Sequence, residues 1–356
     1  MSKSSDRYSY CVKISFKEKN RNANIGDRMV KYKNSGLYED KITFSDEGIH
    51  IELSRSKKFP DGSILSNANN TINTQIIKAL LCYYAISVNF PQIKDILILR
   101  REHKKVDYEY EECKFLIQPI ISRGFNSRQL TFTSSIIDPL LEESQKGQSF
   151  RIAMSYWLKG YASTDEYFKF DHYWRAFNRL YMYQGESIKE FDCLINMRNF
   201  IIQNESIFCK SISITNMYSQ AELHNFRWNK MILNDYDTRT KTQALKDFIL
   251  RYNDHRIMNL LNEKIVCRKQ YLSEMGLDTI VNNHIHNHSS TVQDGELVTL
   301  IAIKYAYFIR NRLFHGEVPD GTFKIKKDNI DKEICRINKL LEVLIWELIE
   351  NHNLFR

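Results

Sequence analysis

The spacing of apolar residues changes once along this chain, near residue 135, and that change limits the folds open to it. Upstream, residues 8–16 (YSYCVKISF) and 48–54 (GIHIELS) alternate apolar and polar side chains, the period of half-buried strands. Residues 41–44, 95–101 (DILILRR), 114–120 (KFLIQPI) and 128–132 (RQLTF) read as further strands. One helix interrupts them at 71–88, with Thr71 or Asn73 as its cap and Pro91 as its stop. Downstream, residues 150–161, 165–184, 187–203, 242–251, 255–272, 296–314 and 328–351 carry apolar side chains three and four apart. The last of these has the clearest stripe: Ile330, Ile334, Ile337, Leu341, Leu344 and Leu348, with Asp328 and Asp331 suited to its N-terminal dipole. Between 205 and 240 the pattern is weak. The expected class is therefore α+β, with a small α+β domain followed by an all-α region.

Composition excludes several classes. Among 356 residues only 12 are Gly and 5 Pro, which argues against a disordered or collagen-like chain. Residues 1–6 are polar with no apolar run after them, so no secretory signal is expected, and no stretch reaches the roughly 20 apolar residues of a membrane span. The 7 cysteines are scattered and none is paired as C-x-x-C, which reads as reduced, buried thiols of a cytoplasmic protein. A net charge of +8 permits a nucleic-acid partner without indicating one; it leans to residues 1–150, with 23 Lys+Arg against 18 Asp+Glu. There is no P-loop, H-E-x-x-H or G-x-S-x-G sequence, so no nucleotide, metal or other cofactor is expected.

One segment carries chemistry: residues 305–317 (YAYFIRNRLFHGE). A strongly apolar helix brings Arg310, Asn311 and Arg312 near its end, then His315, with Gly316 as its natural terminator and Pro319 beyond. The helix C-terminus favours a protonated imidazole, which suits His315 to proton transfer near neutrality. Asn311 and His315, four apart, share a face; Arg310 lies roughly 140° around from His315 but has the reach to share a phosphate with it. By residue type alone, the same cluster also suits a solvated helix end.

The segment resembles the signature of the HEPN superfamily (higher eukaryotes and prokaryotes nucleotide-binding), an R-x(4–6)-H pattern with a polar residue after the arginine; Arg310 to His315 has the shortest allowed spacing. A second likeness lies upstream. Residues 149–157 (SFRIAMSYW), Phe168 and residues 173–181 (YWRAFNRLY) are similar to the opening helices of the Apea-like HEPN group, with their A-F-N-x-L-Y element. The resemblance covers roughly 149–205 and 290–351. It does not cover the α+β domain at 1–148, which would have a recognition or regulatory role; it implies a HEPN helical domain at 149–356, with an insertion at about 206–290.

For function, the resemblance implies a metal-independent endoribonuclease that works as a homodimer, joining two copies of the motif, and serves as a toxin or anti-phage (abortive infection) effector. His315 would be the general base or acid, and Arg310 would stabilise the charged transition state. Asn311 would orient His315 or contact the phosphate. Arg312 is a candidate RNA contact or a surface arginine, and Asn178 supports the site or merely packs and caps. The products would be a 2′,3′-cyclic phosphate and a 5′-hydroxyl, so DNA would be spared. The implied partners are RNA, a second copy, and an antitoxin or phage-derived trigger, with no membrane. The alternative is a non-catalytic HEPN module that binds RNA or protein.

Three other features invite a role. His284, His286 and His288 alternate in 282–288 (NNHIHNH) and would share one side of an extended chain, able to meet a metal, though a polar loop fits as well. Arg100, Arg101, His103, Lys104 and Lys105 suit an RNA-binding edge or a solvated hairpin. The aromatic run from Tyr156 to Tyr181 suits base stacking, but its helical spacing makes it mainly core and dimer interface.

Overall fold

A computed structural model of the chain describes residues 8–23, 25–32, 39–67, 69–102, 105–113, 130–317, 325–326 and 328–355. It is an α+β protein, with an antiparallel sheet in its N-terminal part and helices thereafter. The chain divides into two compact units. The first runs through Ala162 and takes back Leu348–Phe355; the second spans Ser163–Glu347.

In the first unit six strands, β1 (Tyr8–Phe16), β2 (Gly26–Lys31), β3 (Glu39–Phe44), β4 (Gly48–Arg55), β5 (Ile93–Glu102) and β6 (Lys105–Cys113), pair in the order β2-β3-β4-β1-β5-β6. Every pairing is antiparallel. After a short α1 (Ser63–Ser66), the long α2 (Thr71–Ile86) covers one face. The odd–even alternation of β1 makes this possible: Tyr10, Val12, Ile14 and Phe16 are buried while Ser9 and Lys13 stay exposed. Phe16 stacks on Tyr83 of α2 at 4.2 Å between ring centres. Asp40, buried in β3, accepts both Arg55 nitrogens at 2.7 and 2.8 Å and the Gln75 amide of α2 at 2.8 Å, so one satisfied ion pair pins the helix to the sheet. Lys78 of α2 is fully buried and answered by Glu143; burial pushes its pKa down.

The cap of α2 differs from expectation. Asn70 fills that role, its Oδ1 accepting from Ile72 N at 2.8 Å, because it stands extended before the first turn while Thr71 and Asn73 lie within the helix. The helix ends at Ile86, well before Pro91. Strands β2 and β6 were not expected: β2 buries only Val30, and β6 is dominated by charged side chains. The strand expected at 114–120 lies outside the described residues, as do Arg128 and Gln129; residues 130–132 have no regular structure. Two helices close this unit's main segment, α3 (Ile137–Leu141) and α4 (Gln145–Ala162). Position 148 falls in the first turn of α4, so the helix holding residues 149–157 groups with the sheet.

The second unit begins with α5 (Glu166–Gly185), capped by Asp165, and α6 (Glu190–Gln203). Seven short helices follow: α7 (Cys209–Asn216), α8 (Gln220–His224), α9 (Trp228–Asp235), α10 (Thr242–Ile249), α11 (His255–Lys264), α12 (Lys269–Glu274) and α13 (Asp278–Asn287). Then come α14 (Asp294–Thr299), a π-helical stretch Leu300–Tyr305, α15 (Ala306–Phe314) and the long α16 (Asn329–Glu350). The single helix expected at 296–314 is thus broken in register by the wide turn, and that expected at 255–272 is two helices joined by a 3₁₀ turn. The stripe of α16 is buried from Ile334 to Leu348. Phe170, Tyr173, Trp174, Phe177 and Tyr181 of α5 are core, whereas Phe168 is exposed.

The thiols are less uniform than expected: Cys82 and Cys193 are buried, but Cys209 and Cys267 are exposed, each just at a helix edge with a local carbonyl in reach. Among the described residues no helix is long and apolar enough to cross a membrane.

Two outcomes test this packing. A Cβ on Gly185 would lie 2.4 Å from the Cys193 Cα, so α5 and α6 approach this closely there only because position 185 has no side chain; Gly185→Ala is expected to cost about 1–3 kcal/mol in chemical denaturation. Glu347 has its pKa raised by burial. It therefore holds a proton more tightly folded than unfolded, a contribution that favours folding in acid and is lost as pH rises through the folded value. Relative to Glu347→Gln, the wild type should be more stable at about pH 4 than at about pH 8, read as a difference in Tm.

Candidate active site

The end of α15 is fixed by its own backbone. Gly316 adopts φ +68°, its N–H bonds the Leu313 carbonyl at 3.2 Å, and the Glu317 N–H bonds that of Arg312 at 3.0 Å. This is a Schellman ending, which a residue with a side chain enters only with strain. His315 is the residue at the turn, just past the last helical position, with its N–H on the Asn311 carbonyl at 3.0 Å. Its imidazole is exposed and makes no hydrogen bond or ion pair among the described residues. Pro319 lies outside them.

Arg310 and Asn311 sit one turn back and are part-buried. Arg310 Nη1 donates to Asn311 Oδ1 at 2.9 Å, and the guanidinium lies 4.8 Å from the Phe314 ring centre. Its Nε is buried without an acceptor among the described residues, so this cation retains donor capacity. Asn311 therefore engages Arg310 rather than the His315 ring. Arg312 turns elsewhere: its Nε is held by Glu317 at 3.0 Å and the group lies 5.7 Å from the Phe308 ring centre.

Beneath this pair is a hub that spacing did not reveal. Glu190, in the first turn of α6, accepts from Tyr181 OH of α5 at 2.6 Å and from Tyr307 OH of α15 at 3.3 Å. Asn178 donates to the same Tyr181 oxygen. Burial raises the Tyr307 pKa, the Glu190 charge adds to that, and Asn311 and Arg310 oppose it. A chain of polar contacts thus runs from Asn178 through Tyr181, Glu190 and Tyr307 to Asn311 and Arg310. It joins the A-F-N-x-L-Y element to the arginine, and leaves His315 and Arg312 outside. Tyr307 had a sequence signal, standing three and four residues before Arg310 and Asn311; Glu190, from another helix, had none.

The histidine run is helical. Val281 and Ile285 of α13 are buried one turn apart, which overrides the extended reading of 282–288. His284 Nε2 meets the Tyr252 carbonyl at 2.8 Å, and His288 Nδ1 meets the His284 carbonyl at 2.9 Å. Among the described residues no three metal-binding side chains gather. In the basic set, Arg100 is buried and held by Asp61 at 2.6 Å and by Asp107, Arg101 is exposed, and Lys105 opens β6; His103 and Lys104 are outside the described residues.

No family model, no curated protein and no solved structure matches this chain.

The hub has a measurable weight. Glu190→Ala strips the acceptor from two phenols and is expected to cost about 1–3 kcal/mol of stability; Tyr307→Phe removes one donor and should cost about 0.5–1.5 kcal/mol, both read by urea denaturation.

Proposed function

We propose that the helical unit is a metal-independent endoribonuclease of the HEPN type, acting as a homodimer. The observation that carries this reading is the joint geometry of Arg310, Asn311 and His315: a braced cation with donors to spare, one turn from an exposed imidazole on a rigid helix end. Such a pair matches what RNA strand cleavage needs. An imidazole takes the 2′-hydroxyl proton as the 2′-oxygen attacks phosphorus. The P–O5′ bond breaks, and the 5′-oxygen takes a proton from an imidazolium. Arg310 faces the extra negative charge on the non-bridging oxygens, where a pre-placed donor is worth most. The products are a 2′,3′-cyclic phosphate and a 5′-hydroxyl.

A single His315 serves one proton transfer at a time, so a second copy supplying the other imidazole completes the reaction. Exposed Ile188, Phe191 and Phe314, flanking Glu190 and His315 in sequence, give that face the apolar surface a partner copy would cover. In this reading the enzyme acts on cytoplasmic RNA as a toxin or anti-phage effector, and the sheet unit answers to a trigger or antitoxin.

The test is RNA cleavage by the purified chain in EDTA, with 5′-hydroxyl ends mapped by sequencing. His315→Ala and Arg310→Ala are each expected to lose about 10²-fold or more in rate, and the 2′-deoxy substrate to stay intact. Induced wild type should arrest growth and His315→Ala should not. Equal cleavage by wild type and His315→Ala, or none by either with both harmless on expression, sinks the nuclease reading and leaves the non-catalytic module.

A further inference from the structure

A cavity of about 300 Å³ opens beside the same helix, within the second unit. Its wall includes Arg198 of α6, Arg251 after α10, Lys304 of the π stretch, and the rings of Tyr236, Tyr252 and Tyr307. The volume is at the low end for small-molecule sites, enough for one mononucleotide-sized ligand.

Three cations line this wall: Lys304 is paired with Asp235 and Arg198 with Glu296, which leaves Arg251 without a carboxylate among the described residues. Lys304 Nζ is paired with Asp235 at 2.6 Å and lies 5.1 Å from the Tyr236 ring centre. Arg198 gives Nη2 to the Arg251 carbonyl at 2.6 Å and pairs with Glu296 at 3.5 Å; it lies 5.1 Å from the Tyr252 ring centre, and its Nε is buried with no acceptor among the described residues. The Arg251 guanidinium has no hydrogen bond or ion pair among the described residues. The buried Arg198 Nε and the half-buried Arg251 guanidinium keep unspent donors that an anion would meet, and a buried donor left unmet is costly. Three tyrosine rings around them call for a planar aromatic body. The π turn that supplies Lys304 is itself a rare geometry, frequent at functional positions.

The geometry points to this cavity as a binding site for a nucleoside monophosphate unit, with its base among Tyr236, Tyr252 and Tyr307 and its phosphate on Arg198 and Arg251. Tyr307 is shared between the cavity and the Glu190 hub, so an occupant touches the residue that contacts Asn311. The occupant is either a free mononucleotide or a nucleotide of bound RNA. Only its link to cleavage rests on the nuclease reading; the binding itself does not.

The experiment measures AMP, GMP, CMP and UMP binding to full-length His315→Ala protein by calorimetry, so that cleavage plays no part. At least one is expected to bind, with Kd raised about tenfold or more by Arg251→Ala, which removes the phosphate contact. Ala244→Trp, at an exposed position on the cavity wall, is expected to block binding sterically while circular dichroism stays unchanged. Competition against a short RNA separates the sources. Displacement of the RNA by the mononucleotide assigns the site to an RNA residue, and unaffected RNA binding assigns it to a free nucleotide. No binding of any of the four at millimolar concentration, or binding indifferent to both substitutions, overturns the proposal.

Discussion

Buried carboxylates set the internal register of the helical unit. A charge taken out of water is tolerated only where donors meet it, so each one dictates which elements lie against it. Glu347 of α16 receives the Lys210 and Ser211 backbone N–H groups and the Ser211 hydroxyl, which places it at the N-terminus of α7. Glu333 receives Arg227 at 2.9 Å and the Tyr305 hydroxyl at 2.8 Å, tying the start of α9 to the π stretch. Glu296 receives the N–H groups of Asn253 and Asp254. Through these three contacts α7 and the starts of α9 and α11 are tied to α16, α14 and the π stretch. Their own hydrophobic stripes are too short to hold them there alone.

The same logic reaches the candidate site. Glu190 collects donors from α5 and α15, and this fixes the turn from which Arg310 and Asn311 project. The Schellman ending then fixes where α15 stops, independently of any side chain. Two constraints, one polar and one conformational, therefore hold the Arg310 cation and the His315 backbone on a single rigid element. That is the requirement for chemistry whose gain comes from pre-placed charge rather than from induced movement.

Period-two and period-3.6 patterns were legible where one face is buried, as in β1, β4 and α16, because burial writes itself into every second or every third-to-fourth residue. They failed where burial is sparse. β2 has one buried residue, and β6 alternates tyrosines with acids, so edge position rather than side-chain pattern makes them strands. They failed again at Leu300–Tyr305, where an extra residue per turn shifts the faces without any residue type announcing it. In 282–288 the histidines alternate, but Val281 and Ile285, buried one turn apart, decide the conformation. The Arg310–His315 spacing was legible because it is local; Glu190 and the cavity cations were not, because they meet only through tertiary packing.

The contrast between Arg310 and His315 bears on what completes the site. Arg310 is braced by Asn311, by Phe314 and, through Tyr307, by the Glu190 hub, while the His315 ring stands exposed with no partner among the described residues. A general base normally has its second nitrogen held by an acceptor, which sets the tautomer. Here no orienting group contacts the His315 ring among the described residues, and the reaction also needs a second, protonated imidazole to give the leaving oxygen its proton. Both needs are met at once if the face bearing His315 meets its own copy about a two-fold axis, because an isologous contact returns every group on that face, donor and acceptor alike. Under this arrangement each copy would keep its arginine braced in advance and leave its histidine to be positioned by association, and the proposed activity would follow dimer formation rather than folding of the single chain.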